Sequence, residues 1–439
     1  MVAIHPFRAL RYNLEAVGDL NRVLAPPYDV IDPDEQEHLY ATSPYNIVRL
    51  ILGKPYPNDT SEDNRYTRAQ RDFTAWREGH ILSQDQTAAL YLVEHTFADG
   101  GQRRVRLGFV ALLELVDPIE RAVYRHEATL AAPKEDRTKL LQALPANLEP
   151  IFCIYPDERG TIQTILAAYA QGHPPTAQAT LNDDVIRLWA VTDQSLPHSI
   201  TQSLSSVAVL IADGHHRFEV AYANRARYGA VMSYFVSMED PGLLVRPIHR
   251  VIPPPPARTG GSASAPPAAG WIGPPGHAGG GGIIHHPNGP DRRGLDALGR
   301  CERVDELSTL MRWLDDSDAE GRFGYYDGQA FYRLTLDPER LARWLMAPPV
   351  PLPLAMLDVS VLHGLILPSL NVNGAVHYTA DALRALHMVD GGKGYSAWLL
   401  RGLSLQQVYA LASQGFTLPP KSTYFYPKVP SGLAINPLT

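Results

Sequence analysis

The stretch Val207-Ala208-Val209-Leu210-Ile211-Ala212-Asp213-Gly214-His215-His216-Arg217-Phe218 constrains the fold more than any other part of the chain. Val207 to Ala212 is an unbroken apolar run, the pattern of a buried strand. The run breaks at Asp213-Gly214, and Phe218, Val220, Ala221 and Tyr222 then suit the inner side of a helix. A buried strand that feeds a helix through a glycine turn belongs to a layered α/β fold. The junction exposes backbone N–H groups and the positive end of a helix dipole, which together favour an anion. Gly214 lets the backbone turn and come close to a ligand. Arg217 can grip a phosphate or carboxylate with two parallel bonds. His215 or His216 can move a proton near neutral pH. Asp213 suits a metal ion or a proton. Taken alone, it reads equally well as an N-cap or as the acid of a turn.

The flanking sequence supplies the rest of a sheet. Ala89 to Phe97 and Val105 to Leu115 read as two strands joined through Asp99-Gly100-Gly101, a hairpin. Asn46 to Leu52, Asp184 to Val191, Val231 to Ser237 and Leu243 to Val251 read as further strands. Asp63 to Leu82 is an amphipathic helix with Tyr66, Phe73, Trp76 and Ile81 inward, and Asp136 to Ala143 a shorter helix. Hairpins mixed with crossover helices predict an α/β fold with a mixed sheet rather than a purely parallel one.

Pro253 to Arg300 interrupts this pattern with proline, glycine, serine and alanine, a composition that cannot bury a core. The expected organisation is therefore an α/β domain over 1–252, a linker or disordered insertion over 253–300, and a C-terminal α/β part over 301–439 that packs on the first. In that last part Val304 to Leu314, Leu357 to Leu367 and Leu405 to Gly415 read as helices, and Asp327-Gly328 as the turn of a hairpin. His285-His286 lies in the glycine-rich stretch without the further ligands a metal site needs.

The 439 residues are 45% hydrophobic and 19% charged, enough for a sizeable core. The formal net charge is −7 and no Lys/Arg block stands out, which argues against duplex nucleic acid as a partner. Cys153 and Cys301 are too few and too far apart for a disulfide framework or a zinc pair. The N-terminus has no signal-peptide pattern, and no apolar run is long enough to span a bilayer. These points predict a cytoplasmic protein with no membrane partner.

Three further segments carry chemistry-bearing side chains. His126-Glu127, Lys134 and Arg137 supply an acid–base pair and two cations that suit a polyphosphate, or else a set of surface ion pairs. Pro26-Pro27-Tyr28-Asp29 is a rigid segment that serves as a turn or as part of a site. The tail carries Lys421, Tyr424, Tyr426 and Lys428 between prolines, which can close over an anion or pack as an edge strand.

These blocks resemble a widespread prokaryotic family of unknown function whose signature is Asp-Gly-His-His-Arg. The resemblance takes in Ala25 to Ile31, Ser43 to Asn46 with Arg49, His126-Glu127, Lys134 to Arg137 with Asn147, Asp213 to Arg217, Ser237 to Leu243, His249-Arg250 and Pro419 to Lys428. Family sequences continue as folded sequence after the His-Arg block. Residues 253–300 therefore depart from the pattern, and an insertion and a local reading-frame shift are both open explanations. A more distant similarity joins Asp213 to Arg217 with the ParB/sulfiredoxin-like group, which includes nucleotide-binding proteins and free-serine kinases. That similarity implies a ParB/sulfiredoxin-like arrangement around the turn. It also implies phosphoryl transfer or phosphate-ester hydrolysis on a small polar metabolite, of serine-kinase or phosphoserine type, with ATP, ADP or CTP and Mg²⁺ as candidate cofactors. On that reading Asp213, His215, His216 and Glu127 carry the chemistry. Gly214, Arg217, Lys134, Arg137, Lys421 and Tyr424 hold the phosphate or nucleotide. A ParB-like nucleotide-binding regulator without fast turnover is the alternative, and a protein-interaction scaffold tethered by the Pro/Gly segment is a third. The sequence specifies neither a metal nor an oligomeric state.

Overall fold

The computed structural model describes residues 1–193, 195–254, 292–316, 320–372 and 375–438. It divides into two compact units, Met1–Leu244 with Phe425–Thr439, and Val245–Tyr424.

The first unit is built on a nine-stranded sheet among the described residues. The order runs Val123–Tyr124, Val209–Asp213, Ile151–Tyr155, Ala230–Ser237, Gln102–Glu114, Leu90–Asp99, Asp184–Val191, Ala177–Leu181, with Ile4–His5 also paired to Gln102–Glu114. Most neighbours are antiparallel, while Ala230–Ser237 runs parallel to Ile151–Tyr155 and Val209–Asp213 parallel to Val123–Tyr124. The sheet is therefore mixed, as its hairpins and crossovers predicted. Val209, Ile211, Ile151, Cys153, Phe109 and Phe235 are fully buried along its central strands. Phe218 and the apolar stripes of helices Thr161–Gly172 and Ser195–Leu204 join the same cluster, so these helices cover the sheet.

Two local readings change. Asn46 to Leu52 is not a strand but leads into a short helix, Val48–Ile51. A short apolar run does not distinguish strand from buried helix by periodicity, and here the Asn46 side chain decides. Its Oδ1 accepts from the Val48 N–H at 3.0 Å, and its Nδ2 donates to the Arg22 and Leu24 carbonyls. The chain's last residues belong to the first unit, whereas the expected division placed them with 301–439. Asn436–Pro437 pairs with Ala146–Asn147, Ile435 exchanges backbone hydrogen bonds with Leu10, and buried Arg106 donates to the Pro427 carbonyl.

The second unit holds a six-stranded antiparallel sheet among the described residues, in the order Gly299–Val304, Phe331–Leu336, Arg322–Tyr326, Ser396–Leu399, His249–Ile252, His377–Thr379. Helices Leu307–Asp315 and Ala382–Asp390 bury Leu310, Leu314, Ala385 and Val389 against it. Of the expected linker, residues 255–291, with His285-His286, lie outside the described residues. Regular structure resumes before Cys301, with helix Arg292–Asp296 and the strand that begins at Gly299. Among the described residues no helix is long and apolar enough to cross a membrane.

Gly108 lies at a close approach of two strands of the first sheet. A Cβ there would lie 2.5 Å from the Phe235 carbonyl oxygen and 2.7 Å from the Tyr234 ring. Gly108→Ala should lower unfolding stability by about 1–3 kcal/mol through overpacking, measured by urea denaturation. An unchanged midpoint would show that the strands separate freely at this position.

Candidate functional site

Strand Val209–Asp213 ends in an irregularity. Its pairing with Ile151–Tyr155 shifts register between Ile211 and Asp213, as in a β-bulge, which re-aims the last side chain. Gly214 follows at φ +88°, a conformation that L side chains rarely adopt, and helix His215–Ala223 begins directly after it. The first intrahelical bond runs from Phe218 N–H to the Gly214 carbonyl, and no side chain caps the first turn. The Arg217 guanidinium folds back over Gly214, and a Cβ on Gly214 would lie 3.0 Å from its Nη2. The backbone conformation favours glycine, and a larger residue would also press on the arginine.

Asp213 is clamped between two cations. Arg217 Nη2 donates to its Oδ2 at 2.8 Å, and Lys428 Nζ donates to its Oδ1. Arg217 Nη1 donates to the Pro150 carbonyl at 2.7 Å, while the buried Arg217 Nε has no hydrogen-bond partner. Burial pushes the Asp213 carboxyl up, but Lys428 and Arg217 outweigh it and hold the group down at about 2. Asp213 is therefore ionised at neutral pH and poorly suited to take a proton.

The histidines beside it are neutral. Burial lowers His215 well below its ordinary range, with adjoining His126 adding to the shift. Burial likewise pulls His126 down to about 4. Their rings meet edge to face at 4.7 Å. His215 Nδ1 lies 3.9 Å from Glu127 Oε2, and His215 Nε2 is buried with no hydrogen-bond partner. His216 plays a different part: its Nε2 accepts from the Leu130 N–H at 2.9 Å, fastening the segment that leads into helix Ala131–Ala143.

The other expected contributors divide between the units. Lys134 pairs with Glu219 of the signature helix at 3.6 Å and is half-exposed. Arg137 is buried. Its donors engage Asp136 and the Ile51 carbonyl, Glu149 lies 3.8 Å away, and its guanidinium sits 3.8 Å over the Tyr28 ring. Lys421 and Tyr424 belong to the second unit, where the Lys421 carbonyl accepts from Arg250 Nη2 at 2.9 Å.

Sequence reasoning left Lys428 and Glu149 out of the site. Glu149 accepts from the Tyr28 N–H and the Ser431 hydroxyl, each at 3.0 Å, tying the Pro-Pro-Tyr-Asp segment to the tail. Asp29 remains open to solvent on one side, yet the protein packed around it and the Asp213 charge raise its pKa. A protein-held Mg²⁺ does not fit Asp213, because cations already take both of its oxygens. Among the described residues no group of three or more His, Cys, Asp or Glu could hold a metal ion.

The clamp should be visible in acid. The folded carboxyl lies at about 2 against an ordinary 3.8, so its contribution is complete above pH 4 and is lost as the pH falls towards 2. That contribution is on the order of 2 kcal/mol. The stability difference between the parent and Asp213→Asn, followed by denaturant titration, should shrink across that window. A difference that is flat with pH would contradict the clamp.

Among solved structures, a conserved hypothetical protein from Pyrococcus furiosus is 12% identical over 75% of this chain and 95% of its own, with a TM-score of 0.32. A free serine kinase in complex with AMP is 12% identical over 72% and 86%, with a TM-score of 0.32. SbnI with a C-terminal truncation, from Staphylococcus aureus, is 11% identical over 74% and 87%, with a TM-score of 0.34. No curated protein sequence matches the chain. A family model described as "Protein of unknown function (DUF1015)" matches residues 4–360, which include the whole clamp except Lys428, and the chain belongs to that family.

Proposed function

We propose that the first turn of helix His215–Ala223 binds the phosphate of a nucleotide or a small phosphorylated metabolite, and that the protein transfers or hydrolyses that phosphoryl group. The observation that carries this reading is the pair of buried, unpartnered polar atoms at an uncapped helix start, Arg217 Nε and His215 Nε2. Leaving such an atom unmet costs about 1–3 kcal/mol, so buried orphans call for a ligand or water. A phosphate oxygen meets the Arg217 Nε–H and the first-turn amides together. Asp213 and Glu149 both face Arg217, so in this reading the phosphate is held by hydrogen bonds from Arg217 Nε and the first-turn amides rather than by surplus charge.

In this reading Asp213 orients Arg217 and Lys428 rather than acting as a base. Neutral His215 offers its unpartnered Nε2 to position an attacking hydroxyl or water, with Glu127 beside its other nitrogen, while its lowered pKa makes it a weak base. Positioning and charge neutralisation are what phosphoryl transfer requires of a protein. A small hydroxylated metabolite such as serine is the proposed acceptor, with ATP, ADP or CTP as the donors to test. A second reading, a nucleotide-binding regulator without fast turnover, is favoured by the saturation of both Asp213 oxygens. Release of phosphate or of a phosphorylated product separates the two.

ATP, ADP, CTP and phosphoserine should be screened by thermal shift, since a ligand of the native state raises Tm. Arg217→Lys keeps the charge and loses the planar fork, so binding of the active compound should weaken about tenfold or more. Equal affinity in parent and variant would remove Arg217 from the phosphate site.

A further inference from the structure

Arg250, in the second unit, is a buried cation without a counter-ion. It is 0% exposed, and among the described residues no carboxylate pairs with it. Its donors go to neutral acceptors: Nε to His363 Nε2 at 3.1 Å, Nη2 to the Lys421 carbonyl at 2.9 Å, and Nη1 to the Ile248 carbonyl. The Tyr378 ring lies 5.3 Å from the guanidinium. Burial lowers Arg250 to about 10, so it stays charged at neutral pH. The hydrogen bonds are therefore met while the charge is not, and buried charges are ordinarily paired. His363 relays that charge. Arginine can only donate, so His363 Nε2 accepts, and the ring carries its proton on Nδ1. Burial pulls this imidazole down to about 4, with Arg250 adding to the shift, so it is neutral. Its Nδ1 makes no hydrogen bond among the described residues and is not enclosed by protein.

His363 sits on a π-helical turn, Leu362–Ile366, and lines a cavity of about 150 Å³. Trp344, Leu354, Leu418, Pro419 and Pro420 give that cavity apolar walls, and among the described residues no Asp or Glu lines it. Ser360 also lines it, but its hydroxyl oxygen is fully enclosed. Trp344 is a fixed wall: its Nε1 donates to the Ala355 carbonyl at 2.9 Å, and its ring fills the space a Cβ on Gly364 would need. The His-Arg and Pro-Pro blocks of the sequence thus meet at one place. We propose that this cavity binds a small aromatic monocarboxylate, its ring against Trp344 and the prolines and its carboxylate accepting from His363 Nδ1–H. The anion offsets the unpaired Arg250 through the imidazole, and the two hydrogen bonds in line polarise each other. An apolar void of roughly 150 Å³ holds one benzene-sized ring. A second charge on the ligand would have to enter the apolar walls without a partner. This site is independent of the phosphate reading, since all of its residues lie in the second unit.

The test is calorimetric titration of the full-length protein with benzoate. Saturable binding is expected. Benzamide and benzylamine keep the ring without the negative charge, and acetate keeps the charge without the ring. Each should bind more weakly by about tenfold or more. His363→Phe keeps a ring and loses the donor, and should weaken benzoate binding by about tenfold or more. Val350 is only partly buried at the cavity wall, so Val350→Trp fills the cavity and leaves Arg250 and His363 in place. It should abolish benzoate binding, and it decides the matter if His363→Phe fails to fold. Absence of benzoate binding, equal binding of benzamide, or unchanged binding in Val350→Trp would each overturn the proposal. Arg217→Lys should leave benzoate affinity unchanged. A loss there would seat the anion at the signature turn instead, and would overturn the proposal without touching the phosphate reading.

Discussion

One largely enclosed carboxylate organises the first unit's site. Asp213 lies at the end of a strand whose other four residues are buried, where an ionised group is expensive unless charge and hydrogen bonds compensate it. Arg217 supplies one partner from the next turn of the chain, and Lys428 the other from 215 residues further on. Each remaining feature follows from that demand. The bulge aims the acid, Gly214 bends the chain and leaves room for the guanidinium, and the tail must return to the first unit to deliver its lysine.

The clamp also explains why well-separated blocks of sequence meet here. Glu149 faces Arg217 electrostatically, accepts from the Tyr28 amide and the Ser431 hydroxyl, and lies near Arg137. Arg137 in turn covers the Tyr28 ring. The Pro-Pro-Tyr-Asp segment, helix Ala131–Ala143, the signature turn and the tail thus form one chain of charge and hydrogen-bond contacts. Such networks fix geometry more reliably than they add stability, because every member has to be satisfied at once. The histidines lie beside this network and are neutral because burial disfavours their charged forms.

Much of this was legible in the sequence where local chemistry is decisive. An apolar run ending in Asp-Gly before a periodic segment could hardly be anything but strand, turn and helix. The Asp99-Gly100-Gly101 hairpin was equally plain. Asn46 to Leu52 was misread because its conformation is set by hydrogen bonds from Asn46 to Arg22 and Leu24, which no local pattern encodes. Lys428 was visible only as one cation of a proline-flanked tail. Its role depends on a tertiary contact across most of the chain, and the same holds for Glu149. Arg137 looked like a phosphate contact from its spacing, yet in the fold its donors meet Asp136 and a backbone carbonyl. Spacing shows which groups are near in sequence and says nothing of prior claims on their donors.

The central claim is that the amides at the start of helix His215–Ala223, with Arg217, form an anion site built on the Asp213 clamp. Amide chemical shifts of His215, His216 and Arg217, followed during titration with inorganic phosphate, test it most directly. The account predicts saturable shifts of these amides, together with the Arg217 Nε–H, that vanish in Lys428→Met as the clamp loosens. Shifts confined to other parts of the chain, or unchanged in Lys428→Met, would contradict it.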